Sequence, residues 1–372
     1  MNVPLPPGQA PAVPRLPALD SVRGLAALAV VVNHLLDLTM ALGGAPSGHS
    51  AELMPHILAL LLASPLTMLW NGTGAVALFF VLSGFVLALP WHHGQAPSYR
   101  VFTIRRLCRI YLPYAAAVAV SMILAAALFD LRPAGISRWF EQENWIARPD
   151  LPAIADHLLM LGHHNWFDNP VWSLNHEMRI SLLLPVLVLP LIRYGWPAAA
   201  LGTLALYAAA GVITRTFGWH YPAAEIAASL RFAAFFVLGA WLAGIAPRIA
   251  ACPEPWRPLA SWAALILGLL TIWAWREPAA HATGSALVIT ACLIPGAIQS
   301  TLLGPTPRTL GRISYSLYLI HLPLILTLVC LLTPRIPLPA IGLAGLALAI
   351  PAAMLFHRTV EAPAQRLGRR LT

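Results

Sequence analysis

Long apolar runs make up most of the chain, and short stretches rich in Arg, Pro and Gly separate them. Each run is close to the twenty residues that an α-helix needs to cross the hydrocarbon core of a bilayer. The runs lie near residues 20–42, 72–90, 110–130, 173–193, 197–217, 226–246, 258–275, 280–302, 313–333 and 338–358. This pattern predicts an all-α integral membrane protein with about ten transmembrane helices.

One further apolar stretch, residues 53–70, does not fit a simple span. Pro55 and Pro65 interrupt it, and proline removes a backbone donor from a helix. We expect the segment either to lie at the membrane interface or to re-enter the membrane. Its status decides whether the number of crossings is even.

Composition excludes a soluble fold. Hydrophobic residues make up 59% of the chain and charged residues 10%, whereas soluble domains carry about a quarter charged residues. Ten spans and their connections use most of the 372 residues. No second soluble domain of ordinary size is therefore expected.

The charge of the chain is carried by arginine. All 23 basic residues are Arg, and the formal net charge is +9, which would also suit a nucleic-acid partner. We expect no nucleic-acid partner, because the arginines are scattered among helix ends, as is typical of topology determinants. Placing the N-terminus inside puts fourteen arginines in the cytoplasm and six outside. The positive-inside rule thus predicts that both termini are cytoplasmic.

The longest connection and the cysteines offer little chemistry. Residues 131–170 lean acidic and fall on the outer side in this topology. They contain His163 and His164, for which ordinary polar loop chemistry is the favoured interpretation. The four cysteines lie far apart, with no C-x-x-C pair, so neither a disulfide framework nor a metal site is predicted.

The first apolar run carries two ionisable side chains, Arg23 and His34, into the bilayer. Eleven residues at 100° each return to within about 20° of the same helix face, so the two share one stripe, about 16 Å apart along the axis. Inside a membrane an ionisable group costs at least about 2.5 kcal/mol, so it is rarely kept without a partner or a wet cavity. We expect both to face one cavity or one neighbouring helix, with Asp20 helping to balance Arg23.

These two residues suit catalysis, although each has a plainer interpretation. His34 titrates near neutrality when unperturbed and could take a proton from an attacking hydroxyl as general base. Otherwise His34 is a hydrogen-bonded packing residue and Arg23 snorkels to the cytoplasmic interface. Asp37, one turn beyond His34, is better explained as an interfacial residue than as its orienting partner.

Arginines also gather at the predicted cytoplasmic entrance of the third helix. Arg100, Arg105, Arg106 and Arg109 lie within ten residues. Arg106 and Arg109 are one turn apart and could clamp phosphates, or they could simply anchor the helix on the cytoplasmic side.

Other polar groups lie in later spans and are weak signals singly. Ser83 permits close helix approach, while Glu177 and Arg179 enter the fourth run and need a partner or a wet cavity. Tyr315 and His321 fall inside the ninth run.

Taken in order, these segments resemble the membrane-bound acyltransferase-3 family, which modifies surface polysaccharides and other acceptors in bacteria. The resemblance rests on Arg23 with His34, on Phe79 to Phe85, on Arg106-x-x-Arg109 followed by Pro113, on Trp172-Ser-Leu with Glu177, and on Ile313 to His321. It spans about residues 19–367. We therefore expect a disordered Pro-rich cytoplasmic tail at 1–18, a transmembrane acyltransferase domain at 19–367 and a cytoplasmic tail at 368–372.

The resemblance implies a reaction that composition does not reveal. It implies transfer of an acyl group, most simply acetyl, from cytoplasmic acyl-CoA to a hydroxyl of a glycan or glycolipid at the outer side of a bacterial inner membrane. Acyl-CoA would be a co-substrate, and no cofactor would be bound permanently. The implied catalytic residues are His34 and Arg23. The implied acyl-CoA contacts are Arg105, Arg106, Arg109 and Ser83, and the implied acceptor site or its support is Trp172, Glu177, Tyr315 and His321.

Two other functions stay open at this point. Ten helices with intramembrane Arg and His also suit a transporter or flippase of a glycan or lipid-linked small molecule. A non-catalytic homologue serving as a membrane partner is less favoured, because the pair Arg23 and His34 is intact. The acceptor, the acyl chain length, the oligomeric state, and the choice between direct transfer and an acyl-enzyme intermediate are not encoded in a readable motif.

Overall fold

The structure, a computed structural model, describes residues 16–38 and 64–372, and its regular secondary structure in these ranges is entirely helical. The helices are α1 Pro17–Leu38, α2 Gly72–His92, α3 Tyr99–Leu131, α4 Arg138–Glu143, α5 Leu151–Leu158, α6 Trp172–Leu182, α7 Leu184–Tyr194, α8 Trp196–Phe217, α9 Ala223–Ala250, α10 Glu254–Ala274, α11 Pro278–Leu293, α12 Ala297–Leu302, α13 Pro305–Leu332 and α14 Leu338–Arg370. The predicted all-α class is confirmed.

Eight helices of the described ranges are long and apolar enough to cross a membrane: α1, α2, α3, α8, α9, α10, α13 and α14. The two other predicted spans are interrupted. The run 173–193 divides into α6 and α7 at Leu183, just before Pro185, and the run 280–302 divides into α11 and α12 around Gly296. The helices end here because proline lacks an amide donor and glycine readily adopts non-helical backbone conformations. The number of crossings and the side of each terminus stay predictions.

Parts of three predicted segments lie outside the described residues. Of the stretch 53–70, residues 64–70 are described, and Pro65–Trp70 forms a short 3-10 helix capped by the Ser64 hydroxyl. Positions 39–42 of the first run and positions 1–15 of the N-terminal tail are not described.

Glycines bring the central helices into backbone contact. A Cβ added to Gly24 of α1 would overlap the backbone of Leu310 and Gly311 in α13. Likewise, a Cβ on Gly84 of α2 would overlap the Phe236 backbone in α9. Small residues allow such close approach between membrane helices, and here they set α1 against α13, the contact on which the site depends.

The segment between α3 and α6 folds back along α3. The hydroxyls of Tyr111 and Tyr114 donate to the carbonyls of Leu158 and His157, each at 2.8 Å. Tyr114 lies 17 residues before the end of α3 at Leu131, which is about 26 Å of helix. Helix α5 therefore lies beside α3, and the outer location of this connection stays a prediction.

Buried hydrogen bonds hold this segment in place. The Trp145 indole donates to Ser121 Oγ of α3 at 3.1 Å, and Ser121 in turn donates to the Phe167 carbonyl. All three side chains are fully buried or nearly so. No local sequence pattern predicts this packing, because the partners are more than twenty residues apart.

Candidate active site

A cavity of about 760 Å³ opens among α1, α2, α3, α6, α13 and α14, a size typical of small-molecule sites. Its charged lining residues are Asp20, Arg23, Arg106, Arg109, Glu177, Arg308, Arg312 and Glu361. Five guanidinium groups thus face three carboxylates, so the cavity is positively charged. We refer to the end of the molecule around this cavity as the arginine-rich end.

Three of these arginines are available to a ligand. Arg109, Arg308 and Arg312 have exposed side chains, and in the described part of the chain none of them forms an ion pair. Arg109 lies in a π-helical turn, Leu107–Tyr111, and such turns are frequent at functional sites. Exposed guanidinium groups around a cavity suit a ligand rich in phosphate.

Arg106 is already engaged. Its guanidinium lies 3.0 Å from Glu177 Oε1, and Ser83 Oγ donates to the same oxygen at 2.9 Å. The Arg106 and Glu177 side chains are only 7% and 17% exposed. The predicted partner for Glu177 is thus found, since Arg106 Nη2 and Ser83 Oγ both donate to it. The buried Arg106 Nε has no hydrogen-bond partner among the described residues.

Arg23 bridges α1 and α13 at the arginine-rich end. Its Nε donates to Ser314 Oγ at 3.0 Å, and its Nη2 lies 2.9 Å from Asp20 Oδ1. The expected balancing role of Asp20 is confirmed. The guanidinium lines the cavity wall, so it is positioned to contact whatever occupies the cavity.

Glu361 forms a polar cluster that sequence reasoning missed. This buried carboxylate accepts from Ser316 at 2.6 Å, from Gln365 at 2.9 Å and from His357, whose Nδ1 is 3.0 Å away. The cluster forms around a second π-helical turn, His357–Glu361. Glu361 lies three residues beyond the tenth predicted run, and its partner Ser316 is 45 residues away, so no local pattern indicated the cluster.

The second half of the predicted catalytic pair lies deeper along α1. His34 Nδ1 is 2.9 Å from Nε2 of His321, which is fully buried in α13. Since Arg23 also bonds to α13, the expectation that Arg23 and His34 face one neighbouring helix is confirmed. Both histidines had been singled out in the sequence, but their pairing had not.

The hydrogen bonds fix the tautomers of both rings. His321 Nδ1 lies 2.9 Å from the Leu317 carbonyl, and a carbonyl only accepts, so this nitrogen carries the proton of neutral His321. Its Nε2 is then an acceptor, and His34 Nδ1 must be the donor. Neutral His34 therefore keeps a lone pair on Nε2, the form that a general base requires.

An aromatic side chain from the folded-back segment covers His34. The Trp139 ring of α4 stacks on the imidazole with centroids 5.2 Å apart and planes 12° from parallel. Asp37 does not orient His34, since it accepts from Asn33 Nδ2 at 2.7 Å. Sequence periodicity could not identify Trp139, because it lies in a connection with no regular pattern.

The cavity and His34 are adjacent but not continuous. Tyr318 lines the cavity, and its ring centroid is 6.3 Å from that of His321. His34 itself is absent from the cavity lining. One helical turn of α13, from Tyr318 to His321, thus links the end of the cavity to the histidine pair.

The remaining predicted site residues divide between the cavity and its surroundings. Tyr315 lines the cavity and donates its hydroxyl to the Ile110 carbonyl at 2.8 Å. Arg105 lies outside the lining and donates to Thr372 Oγ1 at 2.9 Å. Trp172 packs on Phe232 with ring centroids 5.7 Å apart. It does not line the cavity, but the next residue, Ser173, does.

Outside the spans, Asp168 is the most unusual acid. It is fully buried, and neither carboxylate oxygen has a hydrogen-bond partner in the described residues. Burial in low dielectric disfavours the charged form, so the pKa of Asp168 is raised well above its ordinary value. It lies two residues before Pro170, whose carbonyl accepts from Tyr318 at 2.8 Å.

Comparisons with known proteins identify the family of the chain. The acyltransferase-3 family model, described as an acyltransferase domain, matches residues 16–358. The acyltransferase MdmB of Streptomyces mycarofaciens is 27% identical over 412 residues, an alignment that covers 97% of this chain and 94% of the relative. No solved structure matches the chain. With its apolar helices and a family match over nearly its whole length, this multi-pass membrane protein belongs to the acyltransferase-3 family.

Proposed function

We propose that this protein transfers an acyl group, most simply acetyl, from acyl-CoA to a hydroxyl of a glycan or glycolipid, with His34 as the general base. The observation that carries the proposal is the histidine pair: His321 holds His34 in the tautomer whose Nε2 is free to accept a proton. The acceptor would bind at the outer side of a bacterial inner membrane, and the donor would enter from the cytoplasm.

The donor site is argued from charge. Coenzyme A carries several phosphate groups, and guanidinium groups bind phosphate through paired hydrogen bonds. Arg109, Arg308 and Arg312 line the cavity without carboxylate partners in the ranges described. We assign the phosphates to these three side chains. Arg106, paired with Glu177, then supports the cavity wall.

The thioester would lie near the far end of the cavity. The pantetheine arm is extended, and it would run from the arginines past Arg23 towards Tyr318. Arg23 and His34 are eleven residues apart on α1, about 16 Å along the axis. The reacting carbonyl would meet His34 beyond Tyr318, where Trp139 covers the imidazole.

The proposed chemistry needs one base and one leaving group. His34 Nε2 removes the proton from the acceptor hydroxyl, and the oxygen attacks the thioester carbonyl. The tetrahedral intermediate collapses by breaking the C–S bond, and the imidazolium returns the proton to the departing thiolate. His321 Nε2 stabilises the imidazolium, because it accepts from Nδ1 throughout. General-base catalysis of this kind contributes about 10²- to 10⁴-fold.

The test is acyl transfer by the purified protein in lipid vesicles. Radiolabelled acetyl-CoA is supplied on one side and candidate glycan or glycolipid acceptors on the other. We expect label in the acceptor with the wild type, about 10²- to 10⁴-fold less with His34→Gln, and no change with His93→Ala, an exposed histidine outside the site. Acceptor movement without label transfer would indicate a transporter and overturn the proposal.

A further inference from the structure

Asp156, His163 and His164 form a cluster that the proposed reaction does not use. One ligand atom from each lies within 4.8 Å of the others. His164 Nδ1 is 3.8 Å from Asp156 Oδ2. The sequence predicted no metal site, but that expectation rested on cysteine spacing.

The backbone brings these three side chains together. Asp156 lies in α5, and its two carboxylate oxygens accept the amide protons of His163 at 3.2 Å and of His164 at 2.9 Å. The turn that follows α5 is thereby tied back onto the carboxylate. The rings are also held: His163 packs against Tyr221 with centroids 4.7 Å apart, and His164 meets Trp166 edge-on at 4.3 Å.

Charge and hydrogen bonding leave this cluster incomplete. The Asp156 side chain is only 6% exposed, and its one ionic partner in the described part of the chain is His164. A buried carboxylate is normally paired or bound to a metal. The nearby cation Arg179 is taken by Glu225 at 2.9 Å. His164 Nδ1 is itself buried and has no hydrogen-bond partner among the described residues.

We propose that Asp156, His163 and His164 bind one divalent transition-metal ion of the zinc class. Two imidazoles and a carboxylate, with water in the fourth position, form a common tetrahedral ligand set for Zn²⁺. Metal–ligand bonds of about 2.0–2.2 Å separate the ligand atoms by about 3.4 Å. The present distance of 3.8 Å between His164 Nδ1 and Asp156 Oδ2 is close to that value. The ion fastens α5 to the turn that leads to Asp168 and α6, a structural role independent of the acyl transfer.

The test measures metal binding by the full chain in detergent, purified through an affinity tag that contains no histidine and freed of metal with EDTA. Titration with Zn²⁺ is followed by calorimetry, and Co²⁺ by its visible absorption. We expect one ion per chain and a higher unfolding temperature when Zn²⁺ is present. Ca²⁺ and Mg²⁺, which prefer all-oxygen sites, should not bind the cluster.

The variants separate ligation from folding. His163→Ala removes an exposed ligand, and His164→Phe removes the ligand nitrogen but keeps an aromatic ring beside Trp166. Each should weaken Zn²⁺ binding more than about tenfold, since even loss of a group that merely orients a ligand costs 10- to 100-fold. His93→Ala is the control, because His92 and His93 are also adjacent histidines but are not part of a ligand cluster. Zn²⁺ binding that is absent from the wild type, or equal in all these proteins, would overturn the proposal.

Discussion

His34 Nδ1 and His321 Nε2 lie 2.9 Å apart, and the proton between them belongs to His34. His321 uses its own Nδ1 proton for the Leu317 carbonyl, so it presents a lone pair to its partner. The Leu317 carbonyl thus sets the tautomer of His321, and His321 in turn sets the tautomer of His34. In this arrangement His321 is a positioning residue, and its substitution should lower activity by changing the tautomer of His34.

The first prediction concerns His321. His321→Leu should lower kcat by about 10²-fold or more, because His34 loses the acceptor that fixes its tautomer and stabilises its charge. The KM for acyl-CoA should stay unchanged, since the arginines are untouched. His321→Gln should recover part of kcat, because its amide oxygen can accept from Nδ1. Steady-state kinetics would measure both, and a wild-type kcat in the Leu variant would contradict the role.

The second prediction separates cavity arginines from peripheral ones. Arg308→Gln and Arg312→Gln should each raise the KM for acyl-CoA by about tenfold or more, since a hydrogen bond to a charged group is worth about 1.5–3 kcal/mol. The KM for the acceptor should not change. Arg105→Gln is the matched control, because Arg105 bonds to Thr372 away from the cavity. An equal rise in the KM for acyl-CoA with Arg105→Gln would instead favour the acyl-CoA contact at Arg105 that the family resemblance implies.

The third prediction concerns the buried pair Arg106 and Glu177. Removing one partner leaves an uncompensated charge, so Arg106→Gln or Glu177→Gln should destabilise the protein by about 3–5 kcal/mol. The double variant should recover much of this loss, because no unpaired charge remains. Thermal unfolding in detergent would measure the three proteins. Additive losses in the double variant would show that the two side chains act independently.

The fourth prediction tests the glycine contact between α2 and α9. Gly84→Ala should destabilise the protein, because the added Cβ would overlap the Phe236 backbone. Gly202→Ala on α8 meets no atom within 4 Å, so it should stabilise by about 0.5–1 kcal/mol through helix propensity. Unfolding temperatures of the two variants should therefore move in opposite directions, and a shared direction would contradict the packing.

The fifth prediction is a pH dependence from Asp168, whose pKa burial raises. The folded state then keeps a proton that the unfolded state has lost, so stability falls as pH rises above the ordinary pKa of about 3.9. The slope is up to about 1.4 kcal/mol per pH unit until the folded form ionises. Asp168→Asn should remove this loss. The unfolding temperature of Asp168→Asn should thus exceed that of the wild type by more at pH 8 than at pH 5. An equal difference at both pH values would count against a neutral Asp168.

Much of the fold follows from composition and hydrophobic pattern, because a bilayer requires apolar helices of a fixed minimum length. Eight of the ten predicted runs are long helices. The other two fail at Leu183 and Gly296, where local proline and glycine chemistry ends a helix within an apolar run. A hydropathy average over a window of residues identifies an apolar run, but it does not detect where a helix ends within that run. The return of α5 alongside α3 also escaped prediction, since it depends on Tyr111 and Tyr114 meeting carbonyls far along the chain.

By itself, the sequence determined that Arg23 and His34 share one face of a membrane helix, because helical phase is a local property of the chain. It also marked Glu177 as a costly charge that needs a partner or a wet cavity, and it placed His321 inside the ninth run. Only the tertiary structure decided which partners they have: His321 for His34, Arg106 for Glu177, and Asp156 beside His163 and His164. The first two pairings join residues 287 and 71 positions apart, so they depend on which helices pack together and at what depth. The third depends on the turn after α5, which brings residues seven and eight positions apart back onto Asp156. Neither kind of contact is recorded in a local pattern of apolar and polar positions.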